Sequence, residues 1–489
     1  MVLTEGDARP GHRKAEAVGP RLAALAYGAM SLCVIAFVWH ATMDVPVFDD
    51  WIFVHTAWRA EHHLSLTALW SQNVESRLLL PRLVVVVLTK MGLFSFRLLA
   101  TLTAVVDAAA GAAILAAACW STGRRLAVGW VVLFGLAWFS LTDVVTLLWF
   151  SCAGWVYALA GLAALLAVLA VPTLSPRWAM AAASASAVVA CLAAVQGFVL
   201  WPIGAVAWWW SQPAGPTRRR LGGAYIGIGI ATTLVYALGY RLSAGIHFCP
   251  PHRDCSLLSS LAHPGALAPF FFRVLGLLVP FSPGTGGIAP LVLGGALLVA
   301  SAMVLVSAGR EHRQGPRVPV AAALVAFGLA VALMTALGRL HYTSGTPQYF
   351  AFAARIAWAG VVLHLTRRWG SPDGRPRPAR ALGARVAVGL AVVAIFVASL
   401  VPAWSTAERW HVDQEAAGRL IVNAPRLTPW QLACGENLYV AAGLFRYVNA
   451  FDHYNRGFLE ARTMGVAMFS PGLRPLFLRA GPPDLGRCG

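Results

Sequence analysis

The sequence predicts an all-α polytopic membrane protein, a bundle of about eleven transmembrane helices, and three observations carry that prediction. The composition is 58% hydrophobic and 12% charged, whereas a soluble domain is nearer half apolar and a quarter charged. Apolar runs of about twenty residues, the length that crosses a ~30 Å hydrocarbon core, recur along most of the chain. The strong basic clusters between those runs all fall on one side, as the positive-inside rule requires. A formal charge of +18 would suggest nucleic acid in a soluble protein. Here it reads as arginine in cytoplasmic loops, and no nucleic-acid partner is expected.

Residues 1–20 form a polar cytoplasmic tail. No small-x-small site closes the apolar run that follows, so the first span is a retained helix and not a cleaved signal. Spans are expected near 21–43, 98–120, 126–142, 147–171, 178–195, 198–210, 222–243, 287–308, 318–337, 350–366 and 386–403, which bounds a membrane domain at 21–403. With the N-terminus inside, Arg124-Arg125, Arg177, Arg218-Arg219-Arg220, Arg310 to Arg317 and Arg367 to Arg385 all lie in cytoplasmic loops. An odd count then places the tail, 404–489, outside. That tail is long enough for a small helical cap on the outer face.

Two apolar segments do not fit as crossings. Leu78 to Phe96 carries Pro81, Arg82 and Lys90, and His263 to Phe281 is broken by Pro264, Pro269, Arg273 and Pro280. Counting either as a span would move a basic cluster to the wrong side. Both are read as interfacial or re-entrant helices of the outer face, because broken backbone at membrane depth needs shelter.

The cysteines follow the same sidedness. Cys33, Cys119, Cys152 and Cys191 lie in spans, where a thiol acts as a small apolar group. Cys249 with Cys255, and Cys434 with Cys488, lie in outside segments and are expected as disulfides. His247 and His252 raise a zinc reading at the first pair, but oxidation competes with it there, and no metal site is expected.

The chemistry concentrates in the first outside loop, residues 44–97. Asp49 and Asp50 follow the end of the first span, and a tryptophan-bearing helix comes next. The polar run Ser71-Gln72-Asn73-Val74-Glu75-Ser76-Arg77 and then Pro81-Arg82 complete it. A carboxylate at a bilayer surface can take the proton of a sugar hydroxyl as it attacks an anomeric carbon. A guanidinium can hold a departing phosphate in a bidentate fork. Asp49 and Asp50 are the candidate bases, with Asp50 favoured because Asp49 is nearer the Pro46 turn, where a helix cap would sit. Glu75, Arg77, Arg82, Arg339, His341 and Arg355 are the candidate substrate- and phosphate-binding residues. The competing readings are capping for the aspartates, snorkelling or pairing with Glu75 for Arg77 and Arg82, and an ion pair with an acidic residue for Arg355. No Gly-x-x-x-x-Gly-Lys-Ser/Thr loop occurs, so a donor would come from the membrane and not from a nucleotide.

An outward Asp-Asp after the first span, followed by an interfacial helix, resembles the GT-C superfamily of integral membrane glycosyltransferases. More narrowly the chain is similar to a branch of bacterial multi-pass proteins. Asn73, Glu75, Arg77, Pro81 and Arg82 approximate that branch's first-loop pattern without its histidine. Gly338-Arg339 matches its later loop, while Ala354-Arg355-Ile356 departs from it. The resemblance implies a GT-C-like bundle and an inverting transfer from a polyprenyl-phosphate-linked sugar. The acceptor would be an envelope glycan, lipid or protein at the outer face of the plasma membrane. It implies no cofactor beyond a divalent cation in some members, for which the sequence offers no complete cage. The alternatives are a transporter or flippase of lipid-linked saccharides, for which Asp107 and Asp143 are the relevant acids, and an inactive glycan-binding homologue.

Overall fold

A computed structural model describes residues 10–73, 75–123, 126–241, 257–279, 287–340, 347–369, 379–423, 426 and 460–483. The described residues fold into helices with no strand, apart from a single bridge between Asn73 and Ser76. This is a polytopic helical membrane protein. Nine stretches among the described residues are long and apolar enough to cross a bilayer. They are Gly19–Ala41, Phe96–Thr122, Val128–Leu148, Phe150–Ala170, Pro176–Ala193, Ile288–His312, Val320–Arg339, Gln348–Thr366 and Arg385–Asn423. Their outward faces are apolar, with Leu25, Leu32, Val299, Met303 and Leu390 among the exposed side chains, as lipid contact requires.

In chain order the helices are α1 (Pro10–Ala41), α2 (Trp51–His62), α3 (Leu66–Trp70), α4 (Leu79–Lys90), α5 (Phe96–Thr122) and α6 (Val128–Trp138). Next come α7 (Val144–Leu148), α8 (Ala153–Ala170), α9 (Pro176–Ala193), α10 (Leu200–Ser211), α11 (Pro216–Ala237) and α12 (Leu257–Ala262). The last are α13 (Pro264–Gly276), α14 (Ile288–His312), α15 (Val320–Arg339), α16 (Ala351–Trp369), α17 (Ala379–Asn423) and α18 (Leu473–Ala480). Their ends obey local chemistry. The Ser95 hydroxyl caps α5 by accepting from Leu98 N, and Gly123, at φ 62°, closes it in the left-handed turn that a side chain would strain. Proline opens α9 and α11, where its missing N–H costs nothing.

Of the expected spans, 198–210 and 222–243 are not among the nine. Their helices are α10, with 12 residues, and α11, with 22. The second has the length, about 33 Å at ~1.5 Å per residue, but it opens on three arginines and is diluted by glycine and threonine. The two helices still run as a pair between the ends of the bundle. At one end Val195, just before α10, donates its N–H to Ser76 Oγ in the first loop (3.3 Å), and Tyr240, just after α11, donates to the Glu75 carbonyl (2.9 Å). At the other end Trp208 Nε1 donates to the Arg218 carbonyl (3.0 Å) and Arg317 N donates to the Trp210 carbonyl (2.9 Å). These two hydrogen bonds bring Arg218 and Arg317, from two of the expected basic clusters, to the same end of α10, away from the first loop.

The two segments expected as interfacial or re-entrant are short helices. α4 is 12 residues and α13 is 13 with Pro269 inside, and neither is among the nine. The expected boundary at 403 is not a break: α17 runs on through Pro402 to Asn423 as one helix. Its extension joins the described tail against the first loop. Gln414 bridges Met43 N (2.9 Å) and the Val45 carbonyl (3.0 Å), and Ala417, Ile421, Phe469 and Phe477 share a core with Val45, Trp51, Phe53 and Val54. This second core lies apart from the main one of the bundle and holds the first loop in place.

Candidate active site in the first loop

The loop is pinned at both ends. Asp44 Oδ1 accepts from Phe96 N (2.7 Å) and Arg97 Nε donates to the Thr42 carbonyl (2.8 Å), so entry and exit meet at one point. Between them Val47 to Asp50 form a tight turn. Asp50 holds the N-cap position of α2, but its side chain caps nothing in that helix. Its Oδ1 accepts from both the N–H and the hydroxyl of Ser151 (2.9 Å each), and Oδ2 accepts from Val47 N (3.3 Å). The side chain therefore ties the turn to the start of the Phe150–Ala170 span, and it is 3% exposed. Burial outweighs these hydrogen bonds and lifts its carboxyl from 3.8 to about 7. Asp49 is only half-buried.

Asp49 stands in a polar cluster drawn from distant parts of the chain. Arg339, at the end of α15, forms an ion pair with Glu75, which sits in the turn closed by the Asn73–Ser76 bridge. Asp49, Glu75 and Arg339 all lie close enough to the Tyr349 phenol for their charges to act on it. Asp50, Asp49 and Arg339 act likewise on the Cys152 thiol. The structure thus brings together Asp49, Asp50, Glu75 and Arg339 of the sequence-based site. It adds Ser151, which anchors Asp50, and Tyr349.

The other three arginines go elsewhere. Arg77 is buried, and its Nε, Nη1 and Nη2 donate to the carbonyls of Tyr236 (3.1 Å), Trp70 (2.6 Å) and Leu238 (2.6 Å). Its guanidinium stacks over Trp70 and Tyr236, with 4.8 and 5.6 Å to the ring centroids. It clasps the loop to the end of α11, and each of its three nitrogens already has an acceptor. Arg82, 3% exposed, donates from Nη1 to the Leu69 carbonyl (2.9 Å) at the end of α3.

Arg355 was expected to face a phosphate, and the structure corrects that expectation. It is 1% exposed in the bundle and forked onto Asp107, with Nη1–Oδ2 at 3.0 Å and Nη2–Oδ1 at 3.1 Å. Its Nε meets both oxygens of Asp143 (3.0 and 3.1 Å), and Nη1 also donates to the Trp138 carbonyl (2.6 Å). No guanidinium nitrogen is left for a ligand. The ion-pair alternative is the one observed, and it also engages the two acids on which the transport reading depended. Gly111 lets α1 and α6 close around this triad, because any side chain there would strike Tyr27 and Trp138.

A cavity of about 360 Å³ opens between α2, α3 and α4. Trp51, His55, Arg59, Gln72, Asn73 and Arg82 line it. His55 Nδ1 also pairs with Glu460 of the tail (2.8 Å). Sequence reasoning missed His55 and Arg59, although their spacing of four residues, continuing from Trp51, marks one face of α2.

His341 and the four expected disulfide cysteines, Cys249, Cys255, Cys434 and Cys488, lie outside the described residues. Cys33, Cys119, Cys152 and Cys191 are free thiols in their spans. Among the described residues no group of three or more His, Cys, Asp or Glu side chains converges as metal ligands would. No protein-family model matches the chain, and no curated protein matches it.

Proposed function

We propose that the protein is a GT-C-like membrane glycosyltransferase that moves a sugar from a polyprenyl-phosphate donor to an envelope acceptor at the outer face of the plasma membrane. The observation that carries this reading is a half-buried carboxylate, Asp49, whose charge reaches the same Tyr349 phenol as that of Arg339, in a loop packed against both the bundle and the tail. Asp49 is the base, because Asp50 has both oxygens committed to Ser151 and Val47. Asp49 takes the proton of the acceptor hydroxyl as its oxygen attacks the anomeric carbon. The bond from that carbon to the phosphate oxygen breaks, and the phosphate leaves with the electron pair. Arg339 receives the charge that develops there, and Glu75 orients its guanidinium. Asp107 and Asp143, the acids on which the transport alternative rested, are both paired with Arg355.

This reading includes the orientation: N-terminus cytoplasmic, first loop and tail outside, and eleven crossings with α10 and α11 counted as a pair. In a cysteine-free background, Leu66→Cys in intact cells should react with an impermeant thiol reagent and Ala214→Cys should not. Reversed labelling overturns the sidedness.

The test of the chemistry is transfer from a panel of polyprenyl-phosphate sugars in a lipid-reconstituted assay. Asparagine matches aspartate in size but cannot accept the proton, so Asp49→Asn should abolish transfer while thermal stability stays near wild type. Arg339→Gln should lower the rate about a hundredfold, the scale of one lost charge-stabilising donor. Full activity in Asp49→Asn and Asp50→Asn alike would remove the active site from this loop.

A further inference from the structure

The cavity between α2, α3 and α4 is not the Asp49 cluster, and nothing in the proposed transfer uses it. Its electrostatics set it apart. Two arginines line it, and no Asp or Glu does. The Arg59 guanidinium makes no hydrogen bond or ion pair to any described residue, although the residue sits half-buried on the cavity face of α2. Arg82 is almost wholly buried and uses only Nη1, on backbone carbonyls. Its Nε and Nη2 bind no described residue. Burial, and after it the Arg59 charge, pulls the Arg82 guanidinium down to about 10. The two cations repel each other with no carboxylate between them. Trp51, on the wall, has a buried Nε1–H with no acceptor. The other two fully buried arginines among the described residues are saturated, Arg355 by carboxylates and Arg77 by carbonyls, although the half-buried Arg218 and Arg273 each keep a buried Nε without an acceptor. Leaving two guanidinium groups facing a polar space without a counter-charge costs stability unless an anion fills it.

We propose that this cavity is a binding site for a phosphate group, held by the Arg59 fork with Arg82 behind it. The remaining lining suits a hydroxyl-rich group of sugar size attached to that phosphate. Asn73 offers an amide and Trp51 a flat ring, while about 360 Å³ leaves room beyond the phosphate itself. Exposed Leu83 and Val87 of α4, with Met91 just after it, make an apolar stripe suited to contact with lipid. The phosphate could therefore be carried on a lipid headgroup or on a soluble molecule, and the experiment separates the two.

The full-length protein is reconstituted in phosphatidylcholine nanodiscs. Thermal stability is followed with inorganic phosphate added, and separately with phosphatidic acid in the disc. Binding of phosphate by Arg59 predicts a rise in Tm with at least one of them. Arg59→Gln, which breaks no side-chain hydrogen bond or ion pair among the described residues, should weaken the apparent affinity by about tenfold or more. Response to phosphatidic acid alone assigns a lipid headgroup, and response to both assigns the phosphate itself. No shift with either, or an equal shift in Arg59→Gln, overturns the proposal. Asp49→Asn, which removes the proposed base and no cation, is the control. It should leave these shifts unchanged, so failure of the transfer reading and failure of this site are read separately.

Discussion

Two arginines, one in the bundle and one in the loop, solve the same problem with different partners. Arg355 sits among α5, α6 and α16 and is met by two carboxylates, Asp107 and Asp143. Arg77 is buried nearly as deeply but is met by three backbone carbonyls and two aromatic faces. The difference follows from what each region has to spare. Within a span the backbone carbonyls are committed to the helix, so a cation there needs a formal negative charge. At the loop face the ends of α3 and α11 leave carbonyls free, and their dipoles suffice. A buried arginine thus reports which kind of backbone surrounds it.

The largest effect should come from breaking the triad. Arg355→Met leaves two acids buried without a counter-charge and should cost about 3–5 kcal/mol, enough to remove folded protein from detergent extracts. Replacing all three members with apolar residues of similar volume should recover most of that loss, as measured by thermal unfolding in one detergent. If the triple variant is no better than the single one, the triad does more than neutralise itself.

Next comes the clasp. Arg77→Met gives up hydrogen bonds from a charged donor to three carbonyls and should cost about 2–3 kcal/mol, less than Arg355→Met. Arg77→Lys should recover only part, because an ammonium cannot span three carbonyls as a planar fork does. Limited proteolysis within residues 63–78 would locate the loosening. Equal losses at positions 77 and 355 would break the contrast between the two regions.

How much of this could be read beforehand follows from the same contrast. The helical bundle and the short helices α4 and α13 are written in local patterns: run length and proline positions. The pairings are not local. Arg339 and Glu75 are 264 residues apart, and only the packing of α15 beside the first loop joins them. Arg355 was half legible. Asp107, Asp143 and Arg355 are lone charges inside apolar runs, each expensive alone, so a charge count over the spans pairs them without any geometry. Asp50 was half legible for a different reason. Its place at a helix start suggested a base or a cap, and its actual partner, Ser151, lies a hundred residues on in sequence.

A smaller and pH-dependent effect tests Asp50. Its folded carboxyl titrates at about 7 against 3.8 for the free group, and burial is the first cause. Folding then favours the protonated form. The contribution is fully present below about pH 4 and is lost as pH rises through about 7. Asp44, lifted to about 6 by burial, adds in the same direction. Thermal stability of the wild type should therefore fall between pH 4 and 7, and Asp50→Asn should flatten much of that slope. A slope of the opposite sign would mean that the ionised carboxylate is the one the loop stabilises.

The smallest effect belongs to Arg59, the arginine with neither kind of partner. Arg355→Met strands two acids and Arg77→Met strands three carbonyls, but Arg59→Gln strands nothing, since no described residue bonds to its guanidinium. Its removal also relieves the repulsion that bears on Arg82. Without added phosphate, stability should stay within about 0.5 kcal/mol of wild type, with any change upward. The sign matters more than the size. A loss above 1 kcal/mol on thermal unfolding would mean that Arg59 is held within the chain like the other two. The cavity would then be an ordinary void beside a structural arginine. No loss, together with a lost response to phosphate, leaves Arg59 as a charge kept in place for a ligand.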